Sequence, residues 1–340
     1  MESAADFVFG PLPPIEEPAA PAAAGEPAAF AAAAADPLGP LAGLAGNWSG
    51  QGFNVIWRPH PLQPTGQDRF LELNVTSEQL DFGPALKEIP NRGLLQPNIS
   101  LAGLNYLQQI SDANLNAPQH FEPGVWVTVP KTSDPQEPRT VARLASIPHG
   151  TTILLQGTAH TSNGAPSIPN VSIKPFTLGH PAQTIDFPEQ DLSTATQFRT
   201  SGAGLTGITQ QMVNNPNTVL RAAPSPQITS TTTLHVSSHD ASLPGGGTAN
   251  IAFLKGTTHS NANAAHVTAT FWIETVKKPQ GGHFLQLQYT QTVMLDFNGL
   301  SWPHVSVATL KKKATTTTIA KDVSLMTVAG AKASAETELT

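Results

Sequence analysis

From Trp48 onward apolar residues recur with a period close to two, the spacing of a β-strand that buries one of its faces. In Phe284–Leu295 this puts Leu285, Leu287, Tyr289, Val293 and Leu295 on one side, with Phe284, Gln286, Gln288, Thr290, Thr292 and Met294 on the other. Comparable runs span 54–58, 70–75, 119–129, 141–147, 151–157, 229–236, 250–254, 266–276 and 304–310. Turn formers separate them, including Asn163-Gly164, Pro244–Gly247, Pro279–Gly282 and Asn298-Gly299. Many strands between turns, with few helical patterns, predict an all-β sandwich or barrel.

Composition agrees. Only 12% of the 340 residues are charged, and polarity comes mainly from Thr, Ser, Asn and Gln, which favour strands and turns. The absence of Cys excludes disulfide scaffolds, Cys-ligated zinc, iron–sulfur clusters and thiol nucleophiles, so a metal or metallocofactor must be held by His or oxygen. The net charge of −6 lies entirely ahead of Arg58, in Glu2, Asp6, Glu16, Glu17, Glu26 and Asp36. Without a basic stripe, nucleic acid is not an expected partner, and Lys311-Lys312-Lys313 reads as a solvated domain edge.

Residues 1–45, built of Ala, Pro and Gly, lack the large apolar side chains needed to offset ordering entropy and are expected to form a disordered leader. The Ala31–Ala35 run has no basic segment ahead of it, and Asp36, Pro37 and Pro40 follow at once, which argues against a secretion signal. No stretch approaches the roughly 18 apolar residues of a membrane helix, so a cytoplasmic protein without membrane partners is expected. The barrel domain is expected over 46–313, with a Pro-, Asn- and Thr-rich insertion at 162–226 decorating it or covering a mouth, and a flexible tail at 314–340. Within the insertion, Gly207–Arg221 has roughly helical spacing.

Near the start of the barrel region stands Gly46-Asn-Trp48-Ser-Gly50-Gln-Gly52-Phe53. Further motifs follow in order: Tyr106-Leu-Gln-Gln109, His120-Phe-Glu122-Pro-Gly124-Val-Trp126, Ile147-Pro-His149-Gly-Thr-Thr-Ile-Leu-Leu-Gln-Gly157, and Gly299-Leu-Ser-Trp-Pro-His304-Val-Ser-Val-Ala308-Thr-Leu310. Together these resemble the nitrobindin family, calycin-type antiparallel up-and-down β-barrels that bind heme b. Three departures stand out: the region is far longer than a nitrobindin, Pro148 precedes His149 where the family has Pro after its His, and Pro303 sits directly before His304. The resemblance implies that His304 is the proximal iron ligand. It further implies a ferric heme that binds nitric oxide and isomerises peroxynitrite, with peroxidase-like activity as the nearest variant.

Alternation within 304–310 puts His304, Ser306 and Ala308 on one face, where the small Ser306 and Ala308 leave room for a flat macrocycle if that face points inward. A strand-edge His packed behind Trp302 is the plainer alternative. Trp48 is expected to plug the barrel or border the cofactor. His149 lies in a Pro-His-Gly turn at a rim, as a candidate catalytic group or propionate contact, or as a turn His bonded to nearby backbone. His120 shares a face with Glu122, as an orienting pair or an ordinary surface pair. His235 and His239, four apart at a strand end, are poorly spaced for a metal. No Gly-x-Ser-x-Gly elbow, phosphate loop, Gly-x-Gly-x-x-Gly or His-Glu-x-x-His is present, and no carboxylate pair stands out as acid and base. A second expectation is therefore a heme-free barrel that binds or transforms a hydrophobic small molecule. A third is an interaction protein whose Pro- and Ala-rich ends recruit partners.

Overall fold

The computed structural model describes residues 36–61, 66–222, 227–239 and 242–313. Ten strands carry the alternating pattern: β1 (Gly46–Pro59), β2 (Arg69–Asn91), β3 (Ile99–Asp112), β4 (Ala117–Val129), β5 (Thr140–Ile147), β6 (Thr151–Asn163), β7 (Gln227–Ser237), β8 (Asn263–Lys277), β9 (His283–Phe297) and β10 (Leu300–Lys312). Each pairs antiparallel with the next, and β10 pairs antiparallel with β1, so the sheet closes into a ten-stranded barrel without a free edge. The β9–β10 hairpin turns on Asn298 and Gly299, both at positive φ (47° and 74°), the geometry that makes Asn-Gly the favoured two-residue turn.

The strand expected at 250–254 is not one. Gly247–Asn250 pairs with the start of β6, after which the chain turns into a short helix, α1 (Ala252–Lys255). The helix buries Leu254 and leaves Ile251 and Phe253 exposed, a one-in-four arrangement that a strand cannot produce.

The interior has two ends of different character. At the closed end Trp48, Leu80, Phe82, Leu104 and Phe271 pack with Leu38, Leu41 and Leu44. Those three leucines belong to residues 36–45, which were expected in the disordered leader. Instead they form a turn and a 3₁₀ helix (Gly39–Leu41) against the barrel, because three leucines spaced by three bury enough apolar surface to hold the segment. The rest of that leader, and the tail at 314–340, lie outside the described residues.

The insertion packs on the outside of the barrel. Phe53, Val55 and Trp57 of β1, Leu71 and Leu73 of β2 and Val305 and Val307 of β10 point outward, yet all are fully buried beneath Ile173, Val213 and Leu220. Trp57 Nε1 donates to the Ile173 carbonyl at 2.9 Å, and residues 198–200 run beside Leu71 with backbone bonds on both sides of it. The helical spacing at 207–221 resolves into two short helices, Gln210–Asn214 and Thr218–Ala222, separated by Pro216. Among the described residues, no helix is long and apolar enough to cross a membrane.

Candidate functional site

The mouth half of the barrel holds a cavity of about 310 Å³. Its walls are aliphatic, with Ile56, Ile110, Ile147, Ile153, Val293 and Leu295 prominent, and Leu254 of α1 borders it. Among the described residues, 162–222 contribute nothing to its lining, and the element that borders it at this end is the 251–262 segment, through Leu254 and Ala262.

Strand register fixes the depth of each inward-facing side chain. His304 lies between Ile56 of β1 and Val293 of β9. One inward position deeper come Asn54, Ser306 and Gln291, and the next are Gly52, Ala308 and Tyr289. His304 therefore faces the interior, as the alternation of 304–310 requires once Val305 and Val307 are committed to the outer cluster. Protein surrounds its ring, but part of the ring surface is open to the cavity. Burial, with smaller contributions from His120 and His149, pushes its pKa down to about 3, so the imidazole is neutral. Its polar contact is a long one, 3.4 Å from Nε2 to Ser306 Oγ.

His120 and His149 line the same cavity with ring centroids 5.6 Å apart. His149 sits in the turn between β5 and β6, and burial, then the neighbouring His120, lowers its pKa. His120 Nε2 lies 3.1 Å from Glu122 Oε2. The surface pair considered from the sequence is not what forms: Glu122 is entirely buried, because His-x-Glu on an inward face sends both side chains into the barrel. Trp48 and Ala308 do not border the cavity. Trp48 belongs to the closed end, where Nε1 donates to the Leu44 carbonyl at 2.7 Å, and Ala308 lies below the lining against Gly52. His235 Nδ1 lies 3.0 Å from Thr270 Oγ1, and no group of His, Asp and Glu suited to hold a metal occurs among the described residues.

Beneath the cavity lies a polar floor that includes Arg143, a residue the motifs did not single out. Its Nη2 donates to Glu122 Oε1, its Nε to Tyr106 Oη at 2.8 Å, and its Nη1 to Gln291 Oε1 at 2.5 Å. Tyr106 also donates to Glu122. Burial pushes the Glu122 carboxyl up, but the Arg143 charge and the His120 contact outweigh it and hold the pKa at about 2. The guanidinium is raised above its usual value in return, so the pair is ionic. Phe271 and Trp126 lie 5.3 and 5.9 Å from the Arg143 guanidinium carbon. Beside this pair, Tyr289 donates to Glu78 Oε2 at 2.6 Å, accepts from Gln108 Nε2 at 3.0 Å, and Thr76 donates to Glu78 Oε1 at 2.8 Å. Burial raises Glu78 to about 7 despite those bonds.

Neither the Glu122–Arg143 pair nor the Glu78–Tyr289 bond was anticipated from the sequence, and neither is a pair of carboxylates placed as acid and base. The signal was present: in Val141-Ala-Arg143-Leu-Ala145-Ser-Ile147, Arg143 shares its face with three apolar residues, and a lone charge on such a face needs a buried partner.

The chain matches no family model and no curated protein. Among solved structures it is similar to the crystal structure of Rv2717c from M. tuberculosis, with 14% identity, a TM-score of 0.37, and 82% of this chain and 99% of that one covered. The barrel assignment rests on the closed strand pairing.

Proposed function

We propose that the chain is a nitrobindin-like heme protein in which His304 holds the iron of heme b within the mouth cavity. The observation that carries this reading is His304 itself: a neutral, inward-facing imidazole bordering an aliphatic cavity, with one long contact to Ser306. Iron ligation needs a deprotonated ring nitrogen, and heme brings four nitrogens of its own, so one imidazole completes the protein's share. The small Ser306 beside it keeps space around the ring, and the isoleucine walls suit a largely apolar macrocycle. When bound, heme supplies an iron coordination position at which nitric oxide or peroxynitrite reacts.

The chain's own residues define the surroundings of that reaction. His304 anchors, and the Ile56, Ile110, Ile147 and Ile153 side chains exclude water. His149, its basicity lowered by burial, lines the cavity and is the side chain that would accept a proton from a peroxide substrate. Turnover of peroxynitrite without such proton transfer, and weak peroxidase activity that depends on His149, are the expected activities.

Hemin titration of the purified chain tests the reading. A Soret band that survives desalting, and is lost or shifted in His304→Ala, is the expected result; no retained band refutes heme binding. A heme-free barrel for a small apolar molecule is the second reading, favoured by the cavity volume, which lies at the low end of the range for small-molecule sites.

A further inference from the structure

One inward position deeper than His304, a row of polar side chains crosses four adjacent strands: Asn74 on β2, Asn54 on β1, Ser306 on β10 and Gln291 on β9. Asn54 lines the cavity and is 2% exposed, yet its side chain makes no hydrogen bond among the described residues, and its Oδ1 is enclosed without a partner. Asn74 uses Nδ2 on Asp112 at 2.7 Å and leaves its own Oδ1 unpartnered. Gln291 gives its Oε1 to Arg143, and its amide nitrogen meets no acceptor among the described residues. Ser306 has only the long His304 contact. Buried polar groups are nearly always paired; Asn74 lies outside the cavity lining, but the unused donor and acceptor capacity of Asn54, Gln291 and Ser306 borders the cavity itself.

We propose that the row is a hydrogen-bonding subsite for the uncharged polar end of an otherwise aliphatic small molecule, a primary amide or an alcohol. The amides of Asn54 and Gln291 and the Ser306 hydroxyl offer both donors and acceptors, as such an end requires. A carboxylate is excluded by the state of the nearest deep cation: Arg143 is already committed to Glu122, Tyr106 and Gln291, and both Glu78 and Glu122 stand behind the floor. An ammonium fares no better, since Glu122 is fully engaged with Arg143, His120 and Tyr106. A charged end would be buried without a free partner, which is costly. The aliphatic body would lie against Ile56, Ile110 and Val293.

Calorimetric titration of the full chain, purified without heme, tests this independently of the heme reading. The probes are octanamide, 1-octanol, octanoate and butylbenzene. Octanamide and 1-octanol are expected to bind, with octanoate weaker by about tenfold or more at neutral pH. Asn54→Leu should weaken octanamide about tenfold and leave butylbenzene within about twofold, and Ser306→Ala should act in the same direction on a smaller perturbation of the fold. Octanoate binding as tightly as octanamide, octanamide affinity unchanged in both variants, or no octanamide binding at all, with water alone satisfying the row, overturns the proposal.

Discussion

Tyr289 donates its hydroxyl hydrogen to Glu78 Oε2 at 2.6 Å, across the barrel interior from β9 to β2, on a carboxyl that water does not reach. The bond joins residues 211 positions apart in the chain, and burial of the carboxyl, which this bond only partly offsets, makes the floor of the cavity sensitive to pH.

Glu78 ionises near 4.5 in the unfolded chain and near 7 in the fold, so between those values the native state keeps a proton that the unfolded state has lost. The stability associated with the neutral carboxyl is complete below 4.5 and is lost as pH rises through 7. Its magnitude is on the order of 3 kcal/mol. Glu78→Gln preserves shape and removes the titration. Its stability should therefore gain on that of the wild type between about pH 4.5 and pH 7. A constant difference across that range would refute the assignment.

Glu122 and Arg143 behave in the opposite sense. The Glu122 carboxyl, held at about 2, contributes stability that is present above 4.5 and lost as pH falls towards 2. Removing either partner leaves the other charged and buried, at a cost of about 3–5 kcal/mol. Arg143→Met and Glu122→Gln should each lower the unfolding free energy by that amount, read as a lower denaturant midpoint at unchanged slope. The double variant should be less destabilised than the sum of the two, as a double-mutant cycle in urea will show.

His304 provides a test of the heme reading by pH alone. Its ring is neutral down to about pH 3, whereas an ordinary imidazole titrates at 6.5. Hemin affinity should therefore stay nearly flat from pH 7.5 to 5, where protonation of an unperturbed His would weaken it about 30-fold. The same depressed pKa means that stability tied to the neutral ring is present above 6.5 and lost as pH falls through 3. A steep loss of hemin between pH 7 and 6, read from the Soret band, would show that an exposed His is the ligand.

The sequence made the barrel legible because alternation is a local property. The inward set Leu287, Tyr289 and Val293 could be read directly, as could the shared face of His304 and Ser306. What could not be read was which polar residues meet. Glu78 and Tyr289, or Glu122 and Arg143, become neighbours only through ladder register and barrel closure, which no short window records. Asn250–Leu254 went astray for a related reason: a short apolar run fits a strand or a helical turn, and length alone does not decide. Leu38, Leu41 and Leu44 were hidden by the Ala- and Pro-rich composition around them. The outer face of β1 gave the insertion away in retrospect, since Phe53-Asn-Val55-Ile-Trp57 is apolar on nearly every residue and a strand of that kind must be covered on both sides.

That outer face yields a last prediction. Trp57 donates to the Ile173 carbonyl and packs its ring against Phe187 at 5.8 Å and Trp302 at 5.3 Å, so it fastens the described part of the insertion, residues 162–222, to the barrel wall. Trp57→Ala should cost about 3–5 kcal/mol and speed proteolytic cleavage within that segment. Ligand affinity in the folded variant should change little, because Trp57 and the insertion lie on the far side of the β1 wall from Ile56 and His304. A large loss of hemin or octanamide binding, with the barrel still folded by circular dichroism, would mean that the insertion reaches the mouth after all.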